Sequence, residues 1–308
     1  MKHFLDLSQI DKAELREILN EAKKIKKNYS KNKKVFVTEN SNAIDKLLLM
    51  IFEKPSTRTR ISFDIAVKQL GGSSIILNPD GVHYGKGDET IIDTAKVLSE
   101  YADIIMMRTN SHKNLEEFGK HSTIPVINGL SEKGHPCQIM SDILTFEEAK
   151  GNISGKTISW IGDGNNNMSN SLIEAASKFN FKLKIGCPSK YKPAKKIMLF
   201  AKKNKVKLEI YKDPRKAVKD TDCVMTDKWV SMNDNVNKKK KKKDLKNYQV
   251  NKKLMVLAKK DAIFMHCLPV SRGEEVTDEI IDGEQSIVWT QALNRVHAQK
   301  SIIKWCLS

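Results

Sequence analysis

The densest set of phosphate-binding groups in the chain is Ser56, Thr57, Arg58, Thr59 and Arg60, just beyond Pro55. The apolar run at 47–52 reads as a buried strand, and a helix opens at Ser56. Such an opening leaves the first backbone N–H groups and the positive helix end free, which makes an anion site. Three hydroxyls add donors, and Arg58 adds a planar fork matched to phosphate oxygens. Taken alone, the string is accounted for equally well as a Ser/Thr helix cap among basic surface residues.

Other reactive groups fall at comparable places. His135 and Gln138 belong to a His-Pro-Cys-Gln string that begins a helix. There an imidazole can donate to a carbonyl oxygen and an amide oxygen can accept from an N–H₂ group, although a lone histidine is more often a capping or packing residue. His266-Cys267-Leu268-Pro269 ends an apolar strand. Cys267 can be a nucleophile, a proton relay or a small buried hydrophobe. Neighbours on a strand point to opposite faces, which argues against a His266–Cys267 dyad. Asp227 and Ser231 can hold an ammonium group or cap a turn. Gly162-Asp163-Gly164-Asn165-Asn166-Asn167 lacks the third glycine of a dinucleotide fingerprint, and its asparagines suit the charged end of a small substrate.

Composition bounds what these residues serve. With 308 residues the chain suits two domains. No apolar run approaches the roughly 18 residues of a membrane span, and the opening residues lack the apolar stretch of a signal peptide. Five cysteines, an odd number without a CxxC pair, argue against a disulfide framework or a structural zinc site, and the chain reads as cytoplasmic. The net charge of +17 comes mostly from lysine. The run of lysines at 238–243 lacks interleaved aromatics, so a solvated, mobile loop accounts for it better than nucleic-acid binding. Arginine is scarce, with seven in the chain, and Arg58, Arg60, Arg108 and Arg295 lie in or beside the segments that carry chemistry. Only arginine offers a bidentate fork, so these positions need more than charge.

The elements that must position these groups alternate. Strands are expected near 47–52, 74–77, 104–107, 124–127, 157–161, 182–185, 207–210, 223–226 and 262–266. Helices lie between them, with a long one at about 135–150 and a last one at about 291–305. Gly151-Asn152 reads as a hinge. This order predicts two parallel α/β domains, whose ligands bind at the carboxyl ends of strands where strand order reverses. The motifs fall at such strand ends.

In order along the chain, S-T-R-T-R, M-R-T, H-P-C-Q, G-D-G-N-N-N-M, D-x-W-V-S-M, H-C-L-P and N-R-x-H-x-Q-K resemble the aspartate/ornithine carbamoyltransferase family over nearly the whole length. D-x-W-V-S-M with H-C-L-P resembles its ornithine branch. The resemblance implies two doubly wound parallel-sheet domains joined by a long helix, with the C-terminal helix packing back on the first. Residues 1–134, joined by 291–308, would bind carbamoyl phosphate; 135–150 would link; and 151–290 would bind ornithine.

It also implies transfer of a carbamoyl group to the side-chain amine of ornithine, without metal, cofactor or covalent enzyme intermediate. Ser56, Thr57, Arg58 and Arg108 would hold the phosphate. Thr59, Arg108 and His135 would polarise the carbamoyl oxygen, Gln138 and the Leu268 carbonyl would grip its N–H₂, and Arg295 would complete the pocket. Asn167, Asp227, Ser231 and Met232 would bind ornithine, with Asp227 and Cys267 orienting and helping to deprotonate its amine. Family members assemble as trimers that share active sites, and no nucleic acid or membrane partner is implied. Two positions depart from the family pattern: His83 stands where glutamine is usual, and Asn233 where glycine is usual. The second departure keeps other amine acceptors, such as acetylornithine or putrescine, in play.

Overall fold

A computed structural model describes residues 1–31, 41–78, 89–230 and 237–308. The chain forms two compact units, Met1–Ser141 with Asn294–Ser308, and Asp142–Leu293.

In the first unit, α1 (Lys12–Lys31) buries Leu15, Ile18, Leu19, Ala22 and Ile25, one stripe at helical spacing. There follow β1 (Leu47–Phe52), α2 (Thr57–Gln69), β2 (Ser73–Leu77), α3 (Ile91–Tyr101), β3 (Ile104–Arg108), α4 (His112–His121), β4 (Val126–Leu130) and α5 (Pro136–Lys150). The strands pair in parallel in the order β2-β1-β3-β4. All of β1 except its first residue is buried, as expected for a strand covered on both faces. The sheet reverses direction of growth between β1 and β3, whose ends are in register at Phe52 and Arg108.

The second unit continues with β5 (Thr157–Ile161), α6 (Asn167–Phe179), β6 (Lys182–Gly186), α7 (Lys195–Lys203), β7 (Leu208–Tyr211), α8 (Pro214–Val218) and β8 (Cys223–Thr226). Then come α9 (Lys238–Leu245), α10 (Lys252–Met255), β9 (Ile263–His266), α11 (Asp278–Ile281) and α12 (Val288–Cys306). Its parallel sheet has the order β7-β6-β5-β8-β9, with the reversal between β5 and β8. Both unit boundaries fall inside helices, at 141/142 in α5 and 293/294 in α12. Gly151, with φ +72°, follows the last residue of α5.

The C-terminal part of α12 packs on α1 within the first unit. The Ser301 hydroxyl donates to the Ile18 carbonyl at 2.5 Å, Lys26 Nζ donates to Asn294 Oδ1 at 2.7 Å, and Lys304 pairs with Glu21. No helix among the described residues is long and apolar enough to cross a membrane.

One expectation is corrected here. The lysine run is a helix, α9, not a solvated loop. Lysine is a good helix former, and the Asn237 side chain caps the start by accepting from Lys240 N–H at 3.1 Å. Helical spacing then turns Lys241 and Leu245 inward, and both are buried.

Candidate active site

The first unit gathers its candidate residues at the carboxyl ends of β1, β3 and β4. Ser56 occupies the N-cap position of α2 in extended conformation, yet its side chain makes no capping hydrogen bond. The hydroxyl is therefore not spent on the helix, which weakens the simple-cap account of this string. Thr59 is buried in the first turn of α2. Its Oγ1 accepts from Arg295 Nη2 at 2.7 Å and from Arg108 Nη1 at 3.3 Å. With both lone pairs engaged, the Thr59 O–H must donate elsewhere.

Arg108 ends β3 where the register with β4 shifts between Met107 and Arg108. Irregularities of this kind are common beside ligand sites, where they re-aim a side chain. Gly129 in β4 permits the shift, since a Cβ there would stand 2.2 Å from Met106 Sδ and 3.1 Å from the Met107 carbonyl.

His135 and Gln138 open α5. The turn before them is closed by Ser131 N–H donating to the Gly134 carbonyl at 2.9 Å, and Lys133 pairs with the buried Asp6. Gln138 Oε1 accepts from Arg295 Nη1, which sets the amide orientation. His135 is buried, and burial holds its imidazole well below the usual histidine range, aided by the charges of Arg295, Arg108 and Arg58. It is a neutral N–H donor at physiological pH. Three guanidinium groups around a neutral imidazole make a site for an anion. Like charges about 4 Å apart repel by roughly 4 kcal/mol at an effective dielectric near 20, and a bound dianion relieves that repulsion.

The second unit assembles its candidates beyond β5, β8 and β9. Thr226 on β8 is in register with His266 on β9, so Asp227 and Cys267 come next, just past the ends of adjacent strands. The Cys267 thiol donates to Asp227 Oδ1 at 3.3 Å, and Lys228 N–H donates to the same oxygen at 2.7 Å. Both side chains are partly exposed. Asn167 begins α6, capped by Asn166, whose side chain accepts from Ser169 N–H at 2.8 Å. His83, Ser231 and Met232 lie outside the described residues, as does Asn233.

Strand alternation does not reach Cys267. Cys267 lies past the end of β9, and an Asp227 oxygen, a His266 nitrogen and Cys267 Sγ all come within 4.8 Å of one another. Even so, His266 Nδ1 accepts from Leu268 N–H at 2.9 Å, and Nε2 faces Glu275 Oε1 at 3.3 Å. Gln291 Oε1 accepts from His266 N–H at 2.9 Å, and its Nε2 donates to Asp142 Oδ1 at 2.7 Å. His266, Glu275 and Gln291 therefore shape the Cys267–Leu268 corner, where Leu268 has φ +57°. Sequence reading passed over Glu275 and Gln291, because neither stands in a motif and both act through the fold.

Two triads among the described residues have metal-donor chemistry, Asp227-His266-Cys267 and Asp6-His112-Glu116. In the second, the Lys133 ammonium already supplies a cation, paired with Asp6 and 3.2 Å from His112 Nε2.

Comparison with known proteins adds a second line. A family model described as the carbamoyl-P binding domain of aspartate/ornithine carbamoyltransferase matches residues 2–148. The model of that family's Asp/Orn binding domain matches residues 154–306. Among similar curated proteins, the ornithine carbamoyltransferase of Agrobacterium fabrum is 49% identical over 306 residues, covering 99% of this chain and 98% of the relative. That of Rhodopseudomonas palustris is 50% identical, covering 99% and 96%. Among solved structures, ornithine carbamoyltransferase from Pyrococcus furiosus superposes with a TM-score of 0.90 at 43% identity, covering 98% of this chain and 96% of that one. The anabolic enzyme of that name from Campylobacter jejuni gives 0.89 at 38% identity, covering 99% of each chain.

Proposed function

The chain belongs to the aspartate/ornithine carbamoyltransferase family, and from that premise we propose that it transfers the carbamoyl group of carbamoyl phosphate to the side-chain amine of L-ornithine, releasing L-citrulline and phosphate. The observation that carries the donor half is the convergence of Arg108 and Arg295 on Thr59 beside a neutral, buried His135. In this reading Ser56, Thr57, Arg58 and Arg108 hold the phosphate. Thr59, Arg108 and His135 donate to the carbamoyl oxygen, and the Gln138 amide oxygen accepts from the carbamoyl N–H₂. In the acceptor half, Asn167 holds the amino-acid end of ornithine while Asp227 and Cys267 orient its side-chain amine.

The chemistry follows from these placements. An alkyl amine of pKa near 10.4 attacks only when neutral. Attack on the carbamoyl carbon forms a C–N bond and moves an electron pair onto the carbonyl oxygen. Prearranged donors at that oxygen are worth about 10²–10³ in rate each. Collapse breaks the C–O bond to phosphate, and the proton lost by the amine nitrogen leaves with phosphate. Cys267 in this scheme orients and relays a proton and is not a nucleophile.

An acceptor panel tests the reading. The protein is given carbamoyl phosphate with ornithine, N-acetylornithine, putrescine or aspartate, and phosphate release is followed together with citrulline formation. Fastest release with ornithine is expected; fastest release with any other acceptor defeats the assignment.

We also propose that the chain works as a homotrimer. Ile61 and Ile65 on α2, Ile75 on the edge strand β2, and Val97 and Tyr101 on α3 are exposed apolar side chains of the first unit. Apolar surface of this kind is usually covered by a partner. Light scattering should give three times the chain mass.

A further inference from the structure

Of the six lysines at 238–243, one is unlike the rest. Lys241, fourth in α9, is 4% exposed, and its Nζ lies 2.6 Å from Oδ2 of Asp163, itself 6% exposed. Lys238, Lys239, Lys240, Lys242 and Lys243 are all exposed. Asp163 stands in the turn after β5, and its other oxygen, Oδ1, accepts from Asn165 N–H at 2.8 Å. Its carbonyl accepts from Trp160 Nε1 at 2.8 Å. The turn leads directly into α6, whose first residue is Asn167.

A second set of contacts ties α9 to the segment that packs against the same turn. Tyr191 O–H donates to Asp244 on α9 at 3.1 Å, and Lys190 pairs with the same carboxylate. The Lys241 ammonium sits 5.6 Å from the centroid of the Tyr191 ring. The Tyr191 carbonyl in turn backs onto Gly164, where a Cβ would stand 2.8 Å away. The turn thus backs onto the Tyr191 carbonyl, and the Lys241 ammonium pairs with its Asp163 while lying over the Tyr191 ring.

We propose that Lys241 is a positioning residue for the amino-acid half of the site: through Asp163 it sets the Gly162–Asn167 turn and so the place of Asn167. This rests on the ornithine reading of Asn167 given above. Burial makes the pair sensitive to loss of one partner, because an unmatched charge is left without water. An exposed lysine of the same run has no such consequence. Only the ammonium at position 241 matters to the substrate, and its neighbours serve the helix and the surface.

The test compares Lys241→Met, Lys241→Arg and Asp163→Asn with Lys240→Met as control, all in the full-length protein. Lys241→Met should raise KM for ornithine at least about tenfold and leave KM for carbamoyl phosphate within about twofold. Lys241→Arg should recover most of the loss, and Lys240→Met should match the parent. Hydrogen exchange gives a readout independent of turnover: amides of the segment 162–169 should exchange faster in Lys241→Met, while those of α2 and β3 stay unchanged. If Lys241→Met does not fold, Asp163→Asn carries the same readouts. An unchanged ornithine KM with unchanged exchange, or both substrate KM values rising together, overturns the proposal. Failure of the ornithine reading shows separately, as absence of citrulline formation by the parent protein; exchange at 162–169 then decides the positioning role.

Discussion

The two candidate half-sites are built from opposite materials. In the first unit, the guanidinium groups of Arg108 and Arg295 are already hydrogen-bonded to buried Thr59 and Gln138, and Arg58 adds its charge near buried His135. In the second unit the candidate groups are a carboxylate and a thiol on adjacent strand ends, both partly exposed. The difference matches the chemistry proposed for each. A dianion that must shed phosphate needs rigid, permanent positive charge. An amine that must lose a proton needs a group able to orient it without trapping it as an ammonium. In the proposed reaction, rigidity belongs to the donor side and proton handling to the acceptor side.

If that contrast is real, removing a donor-side arginine has the largest effect. Arg295→Met deletes donors to both Thr59 and Gln138, and turnover should fall by about 10²–10³ in a citrulline assay. Arg58→Lys keeps the charge and loses the fork, so a fall of at least about tenfold is expected. Equal rates for Arg58→Lys and the parent would falsify the bidentate phosphate reading.

The acceptor side should answer differently. Asp227→Asn keeps shape and removes charge, so kcat/KM for ornithine should drop by about tenfold to a hundredfold. KM for carbamoyl phosphate should stay within about twofold. If both substrates suffer alike, the two halves are not chemically distinct.

A smaller effect concerns pH. His297 on α12, in the first unit, is lowered to about 4 by burial and then by the charges of Lys300 and Lys26. The unfolded chain takes up this proton near pH 6.5 and the folded chain only near 4. The contribution is therefore complete above about 6.5 and is lost as pH falls toward 4, at most roughly 3 kcal/mol. His297→Gln should flatten the fall of melting temperature across that window. An identical slope in both proteins would remove His297 from the account. The smallest effect is on thiol reactivity. Burial pushes the Cys137 thiol up to about 12, while Cys267 alone among the five cysteines is partly exposed. A thiol reagent should label one cysteine quickly, and Cys267→Ser should abolish that fast phase.

Much of this was legible beforehand, for identifiable reasons. The alternation of apolar runs with helical stripes gave β1, β5 and β8 at their observed bounds, because strands buried on both faces are predominantly apolar. The string at 56–60 pointed to an anion site because backbone and side chain agree there. Other features were not legible. The lysine run carries no periodicity of residue type, so nothing marked position 241 as inward; only packing against Asp163 and Tyr191 singles it out. The alternation rule does not reach Cys267, because it holds only within a strand and β9 ends at His266.

The chain's local order thus suffices for its elements, its α/β class and the residue types its chemistry requires, since propensity, capping and periodicity are short-range effects. Which hydroxyl receives two guanidinium groups, which lysine is buried and which carboxylate meets the thiol were decided by tertiary structure. Thr59 and Arg295 are 236 residues apart, and Lys241 lies far along the chain from Asp163. Contacts of that range depend on strand order and register, which no local pattern encodes.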